Sequence, residues 1–506
     1  LKYIMAHDLG TTGDKATLFS QTGSLIASSF AGYETFYTGP GMVEQDPEAW
    51  WTAFCKTTSE IVQKAEIDRK DISALSISGQ MMAVVPVDRS GELLRRSMIW
   101  ADSRSTEQVR EFLSKVPASD LYKITGSRLS PTYQGLKIAW LKRHEPDLYE
   151  RTFKFLQAKD YINLRLTGKF ATDFSDAVMT ALFDISRLAW SEELISALGI
   201  EISKLPDVYA SITDLGEIKK EVAADLGLPN SCNVILGAGD GCSAAVGAGA
   251  VEVGDTYLYL GSSAWISTIA EEPLLEKEMR VFSGAHAVKG LYFPSGTMQA
   301  AGTSYSWIKD TMYCDGSVKK NDRDIYSFLD TQLYQSHRHS ESILYLPYLL
   351  GERSPIWNSN ARGTFIGLSA SHKKIDIVQA VIEGVSMNLK WILESLEESL
   401  PIGKIRVIGG VIKSRIWKRM ISNILGKTIT IPQNVDEATS IGAAMIAGVG
   451  AGLFNFSAVR NFVVDVEEIE PIGEQQEDYL RLYELFKESY RALEKTFEGL
   501  NGVRRG

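Results

Sequence analysis

Ala6-His7-Asp8-Leu9-Gly10-Thr11-Thr12 leaves an apolar strand, makes a glycine-hydroxyl turn and enters a second strand, Lys15-Ala16-Thr17-Leu18-Phe19. Glycine in such a turn lets backbone N–H groups approach a phosphate closely. The acid at the strand end, Asp8, suits a hydrated Mg2+. Gly10, Thr11 and Thr12 are then candidate phosphate contacts and Asp8 a candidate metal ligand. An ordinary hairpin fits the same residues, so the surrounding chain has to decide.

Strands are predicted near residues 2–8, 14–20 and 24–32. Asp46-Pro47-Glu48 reads as a helix start, with Asp as cap and Pro in the first turn. Trp50, Phe54, Ile61, Val62 and Ala65 follow at helical spacing. Ile72 to Ser78 reads as another strand, ending at Gly79-Gln80-Met81-Met82. Residues from about 100 to 230 mix helices and loops. Asn233-Val234-Ile235-Leu236 then runs into Gly237-Ala238-Gly239-Asp240-Gly241 and a helix of small residues. A domain boundary is expected near residue 250, giving domains 1–250 and 251–506.

The second half opens much as the first. Thr256 to Leu260 reads as a strand, Gly261-Ser262-Ser263 as a glycine-hydroxyl turn, and Ala264 to Thr268 as a second strand. This is either an internal repeat, with two turns gripping a triphosphate, or a plain hairpin. Apolar residues from Val378 to Leu396 predict a long amphipathic helix. Ile405-Arg406-Val407-Ile408 predicts a strand ending at Gly409-Gly410, and helices follow from Ser414 and Glu437. A stripe of Tyr479, Leu482, Phe486, Tyr490, Leu493 and Phe497 reads as the packed face of a last helix.

Alternating strands and helices make this an α/β protein, and 506 residues exceed a single core, so two large domains are expected. A formal charge of −10 without a basic block argues against a nucleic-acid partner. Cys55, Cys232, Cys242 and Cys314 form no CxxC pair and read as reduced thiols of a cytoplasmic protein. No apolar stretch is long enough to span a membrane, and a chain opening directly on a strand is expected to carry no signal peptide.

Several chemistries drop out. Gly426-Lys427-Thr428 is no Walker loop, because Ile421 stands where the motif needs glycine; it reads as a helix end. No complete GxGxxG follows a strand, and no HExxH or histidine cluster exists. His7 and His286 read as packing residues. Asp240 sits among glycines between a strand and a helix, where it is either a general base for a hydroxyl or a helix cap. Gln80, Met81, Met82, Trp100, Asp102 and Arg104 follow predicted strand ends. They suit a polyol, with charged groups for its hydroxyls and an indole for its C–H face. The competing readings are a core methionine pair and a surface Asp-Arg pair.

Asp8-Leu9-Gly10-Thr11-Thr12, Ser78-Gly79-Gln80-Met81, Trp100-Ala101-Asp102-Ser103-Arg104, Gly239-Asp240-Gly241 and Gly261-Ser262-Ser263 occur in one order. They are followed by Gly351-Glu352-Arg353-Ser354-Pro355, Arg362-Gly363, Gly367-Leu368, Glu383-Gly384, Gly409-Gly410 and Lys413-Ser414. In that order and spacing, from about residue 3 to about 450, the chain resembles the FGGY carbohydrate kinases, and within them the xylulose kinase-like branch. The resemblance implies two actin-like (ribonuclease H-like) ATPase domains with an interdomain cleft. It implies ATP and Mg2+ as cofactors and a small sugar or polyol as substrate. It leaves a homodimer open and implies neither a nucleic-acid nor a membrane partner. Carried over, Asp240 would take the hydroxyl proton and Asp8 would organise Mg2+. Thr11, Thr12, Ser262 and Ser263 would meet the phosphates, while Gly409, Gly410 and Ser414 would border the adenosine.

Two positions depart from the branch. Met82 stands where xylulose kinases usually have histidine after Gln-Met, and Val411 where the nucleotide motif often has a third glycine. The Arg-Glu pair that glycerol kinases place after Gly-Gln is also absent. A ketose like xylulose is expected, with gluconate or a tetritol as alternatives. A non-kinase actin-like ATPase is the alternative outside the class.

Overall fold

The computed structural model describes residues 1–313, 322–335 and 343–502, so Cys314 lies outside the described residues. They form two compact units. The first takes Leu1–Val253, Ala270–Phe293 and Glu437–Val464; the second takes Gly254–Ile269, Pro294–Asp436 and the chain from Asp465.

The first unit is built on six strands: β1 (Tyr3–Leu9), β2 (Gly13–Ser20), β3 (Leu25–Gly32), β4 (Ile72–Gly79), β5 (Asp214–Glu217) and β6 (Asn233–Gly239). Their order is β5-β6-β4-β1-β2-β3. β1, β4 and β6 run parallel; β2, β3 and β5 join antiparallel. The parallel strands are buried at nearly every position, as strands covered on both faces should be. Met5, Leu9, Leu75, Ile77, Val234 and Leu236 fill the core with Trp50 and Phe54. Those two aromatics come from the helix Pro47–Lys64, capped as expected by Asp46, whose side chain accepts the Glu48 N–H.

The second unit repeats the scheme with β7 (Thr256–Leu260), β8 (Ala264–Thr268), β9 (Tyr292–Met298, of which Pro294 onward belongs here), β10 (Ile405–Ile408), β11 (Ile429–Pro432) and β12 (Asp465–Ile469). These pair in the order β9-β8-β7-β10-β11-β12. Again a three-strand antiparallel meander joins two parallel strands and an antiparallel edge. The likeness of the two strand-turn-strand segments is therefore a repeat of topology. The long helix runs Lys374–Glu397 and the last one Gly473–Gly502, with Tyr479, Phe486, Tyr490 and Phe497 in a buried cluster. Gly426 ends the helix Arg415–Leu425 in a left-handed cap, which accounts for the false Walker fragment.

His7 is fully buried against Asp14 (2.9 Å), and His286 is buried with its pKa drawn down to about 4 by that burial. Both are interior groups, as the sequence suggested. Cys232 and Cys242 are buried and Cys55 half-buried, all as free thiols. Among the described residues, no helix is long and apolar enough to cross a membrane.

Candidate active site

Register assembles the first half of the site. Leu9 pairs with Gly79, and Gly79 with Gly239, across three parallel strands. Gly10, Gln80 and Asp240 therefore leave the sheet at one edge. The carboxyl ends of parallel strands are where α/β proteins place ligands, since the connecting turns are free of ladder bonds there.

Asp240 is the first residue of the helix Asp240–Gly247 and Gly239 is its cap, so the cap alternative does not describe it. Its Oδ1 accepts the Gly241 N–H at 2.8 Å, and the residue is open to solvent. Protein crowded around the carboxyl raises its pKa to about 7, desolvation first and the nearby charge of Asp8 second. A base of this pKa is matched to work near neutrality. Since only the carboxylate can accept a proton, kcat/KM for the acceptor should be flat above pH 7. Below it, the value should fall toward tenfold per pH unit; initial rates between pH 5.5 and 8.5 check this.

Asp8 is half-buried, and its Oδ2 accepts the Thr439 hydroxyl at 2.6 Å. Burial pushes its pKa to about 6, with the Thr439 bond pulling the other way. The charge of Asp8 acting on Asp240 is a reason for a cation to settle here. Among the described residues, no cluster of three or more His, Cys, Asp or Glu forms a protein cage for a metal. One or two carboxylates with space for water and phosphate oxygens is the donor set Mg2+ prefers, so these residues fit that ion.

Around the turn, the Gly10 N–H donates to Gly13 O (3.0 Å), and the Thr11 hydroxyl accepts the Trp100 indole N–H (2.9 Å). Thr12 is exposed. Gln80 is buried; its Nε2 donates to Gln45 Oε1 at 2.8 Å, and its Oε1 has no hydrogen-bond partner within the protein. A buried carbonyl oxygen without a donor is a place for a ligand hydroxyl. Trp100 is 39% exposed, a large indole face left open to solvent. Met81 is buried, and Met82 is half-buried with φ of 63°.

Asp102 and Arg104 form an interior pair, not a surface one. Asp102 is fully buried, with Arg104 Nη2 at 2.7 Å and the Val43 N–H at 2.7 Å. Arg104 also donates to Glu44 (2.7 Å) and lies over the Trp140 ring. The pair ties the Trp100 loop to the segment Met42–Gln45.

The second unit has a matching edge. Tyr259 pairs with Ile408 on parallel strands, so Gly261 and Gly409 follow neighbouring strand ends. A cavity of about 820 Å³ opens there, lined by Gly261, Ser262, Gly410, Val411, Lys413 and Ser414 among others. Ser263 and Gly409 do not line it. Ser263 closes the turn by accepting the Gly261 N–H at 2.9 Å. Gly409 holds φ of 101°, and a Cβ there would lie 2.5 Å from Leu260 O, so glycine is required. Ser414 caps the helix Arg415–Leu425 and donates to Asp330 (2.5 Å). Val411 lines the cavity, and its Cγ2 would stand 2.9 Å from a Cβ on Gly302.

Sequence reading missed several contributors. Gly302, Thr303, Tyr305, Tyr326 and Asp330 also line the cavity. Gly302 begins a helix whose first N–H groups donate to Gly261 O (2.9 Å) and Ser262 O (3.0 Å). The Ala-Gly-Thr-Ser run at 301–304 was a readable helix start. Thr439 had no local signal. Nor had Ser175, whose Oγ accepts the Gly239 N–H (2.9 Å) and donates to Asp173 (2.5 Å). Asp173 lies 2.9 Å from Lys159, which also meets Asp160 and Asp176 in full burial.

Comparisons with known proteins match both halves of the chain. The model of the FGGY family of carbohydrate kinases, N-terminal domain, matches residues 3–247, and that of its C-terminal domain matches 256–451. A xylulose kinase of Bacillus subtilis (strain 168) is 30% identical over 97% of this chain and 97% of its own length. A gluconokinase of the same organism is 28% identical over 100% of this chain and 98% of its own. The crystal structure of a ligand-bound xylulose kinase from Lactobacillus acidophilus superposes with a TM-score of 0.90 at 29% identity, covering 99% of this chain and 100% of that one.

Proposed function

This chain belongs to the FGGY family of carbohydrate kinases and is an ATP-dependent carbohydrate kinase, and we propose that it phosphorylates a xylulose-like ketose with Asp240 as the general base. The observation that carries this reading is Asp240 itself. It is a solvent-open carboxyl on the sheet edge that also presents Gln80 and Asp8.

Gln80, Met81, Met82 and Trp100 hold the sugar, with Asp102 and Arg104 supporting Trp100 from beneath. The free Oε1 of Gln80 takes a sugar hydroxyl, and the indole covers a C–H face. Gly10, Thr11 and Thr12 meet the terminal phosphates from residues 1–250. Gly261, Ser262, Ser263, Gly409, Gly410 and Ser414 shape the nucleotide site in residues 251–506. Asp8 would hold Mg2+, which would supply charge neutralisation at the phosphate oxygens. Asp240 accepts the acceptor hydroxyl proton as that oxygen bonds to the γ-phosphorus and the bond to ADP breaks. Positioning and charge neutralisation supply most of the acceleration in such transfers.

A ketose is favoured over an aldonate by charge. Lys15 is paired with Glu437 and Arg104 with Asp102 and Glu44, while Lys137 is fully buried with its Nζ on the carbonyls of Met82 and Ile99, out of reach of an acceptor. An anionic acceptor would face Asp8 and Asp240 without one of them. The likeness to a gluconokinase is what keeps gluconate as the second reading.

ADP release with ATP, Mg2+ and D-xylulose, D-gluconate, erythritol or glycerol tests this. The largest kcat/KM is expected with D-xylulose. A larger value with gluconate overturns the ketose assignment, and ADP release independent of any acceptor overturns acceptor phosphorylation.

A further inference from the structure

Lys137 has no part in the chemistry, yet it is a fully buried ammonium next to the sugar residues. It projects from the helix Gln134–His144. Its Nζ donates to Met82 O at 2.7 Å and to Ile99 O at 2.8 Å. Those carbonyls belong to the two segments that carry Met81-Met82 and Trp100. One turn earlier on the same helix, Gln134 Nε2 donates to Ala83 O (2.8 Å) and Leu156 O (3.0 Å).

Both ends of this clamp are costly. An ammonium taken out of water with neutral carbonyls as its hydrogen-bond acceptors is expensive to bury. Burial draws its pKa down to about 7, with Asp102 acting against that shift and Arg104 reinforcing it. Met82 is held at φ of 63°, a left-handed conformation that is strained for a residue bearing a side chain. A methionine or leucine would fill the same space without the desolvation penalty. Costs of this kind persist where surrounding structure imposes a geometry that function uses.

Resting on the sugar-site reading above, we propose that Lys137 is a positioning residue for the sugar. By bridging the Met82 and Ile99 carbonyls it sets the separation between Gln80-Met81-Met82 and the Trp100 indole. It touches no sugar atom in this role; it spaces the two walls that do.

The test measures steady-state constants of K137M, K137Q and W100A with ATP and D-xylulose, alongside thermal unfolding. Losing a charge-assisted hydrogen bond at a spacing element should raise the sugar KM about tenfold or more in K137M. The KM for ATP and kcat should stay within about twofold, a split that general loosening of the fold would not produce. If K137M does not fold, the same comparison is read on K137Q, whose shorter amide cannot span both carbonyls. An unchanged sugar KM in the folded Lys137 variant, with a raised one in W100A, overturns the positioning role alone. An unchanged sugar KM in W100A as well overturns the sugar-site reading beneath it.

Discussion

Asp240→Asn is expected to lower kcat by about 10²–10⁴-fold while sugar affinity stays near that of the wild type. Asparagine keeps the shape, and its amide oxygen can still accept the Gly241 N–H that Asp240 Oδ1 accepts at 2.8 Å. What disappears is the group able to take a proton. The residual rate should also lose the fall below pH 7, because that fall belongs to the carboxyl whose pKa is raised to about 7. Single-turnover rates and calorimetric sugar binding measure the two halves separately. Turnover near the wild-type level in D240N would remove Asp240 from the chemistry.

Gly442→Ala should be among the most damaging single methyls in the first unit. The helices Asp240–Gly247 and Ala438–Gly450 approach so closely that a Cβ on Gly442 would lie 1.9 Å from Ser243 O. From the other side, a Cβ on Gly247 would lie 1.7 Å from Ala438 O. Backbone on both sides leaves nothing flexible to yield, so the helices must separate. Overpacking of this kind costs about 3 kcal/mol at the upper end of its usual range. One helix begins with Asp240 and the other carries Thr439, which holds Asp8 at 2.6 Å. Displacing them by an ångström should therefore lower kcat/KM by roughly 10²-fold. Gly499→Ala, where nothing lies within 4 Å of the new methyl, is the control and should be neutral or slightly stabilising. Equal melting temperatures and rates for the two variants would contradict the close packing.

Strand ends were the legible part of this site. Asp8, Gln80, Asp240, Gly261 and Gly409 each follow a short apolar run, and glycine marks the turn at or beside each of them. Such signals are local, since a turn residue answers to its own backbone angles and to nearby atoms. Gly409 illustrates it: its φ of 101° is a backbone conformation that favours glycine whatever surrounds it.

Residues that act from a distance in sequence left no comparable trace. Thr439 lies 431 positions from the carboxylate it holds. Tyr305, Tyr326 and Asp330 line the second unit's cavity from the helices Gly302–Tyr313 and Asp322–Gln335, which no sequence motif singled out. Asp102 and Arg104 were read as candidate polyol contacts, with a surface pair as the alternative because two charges two residues apart usually are exposed. Their burial follows from Val43, Glu44 and Trp140 closing over them. The chain also re-enters the first unit at Ala270–Phe293 and Glu437–Val464, a weave that periodicity along the sequence does not encode.

Order and composition of the motifs by themselves determined the α/β class and carried the resemblance to the kinase family, while the strand-turn-strand repeat stayed open against a plain hairpin until the strand pairing was seen. Class and resemblance rest on short-range preferences that a linear pattern carries. Which carboxylates face one another, which cations are already spoken for and how closely two glycine-bearing helices meet were decided only by tertiary structure. Electrostatic and packing energies depend on separation in space, and residues hundreds of positions apart acquire a separation only when the chain has folded.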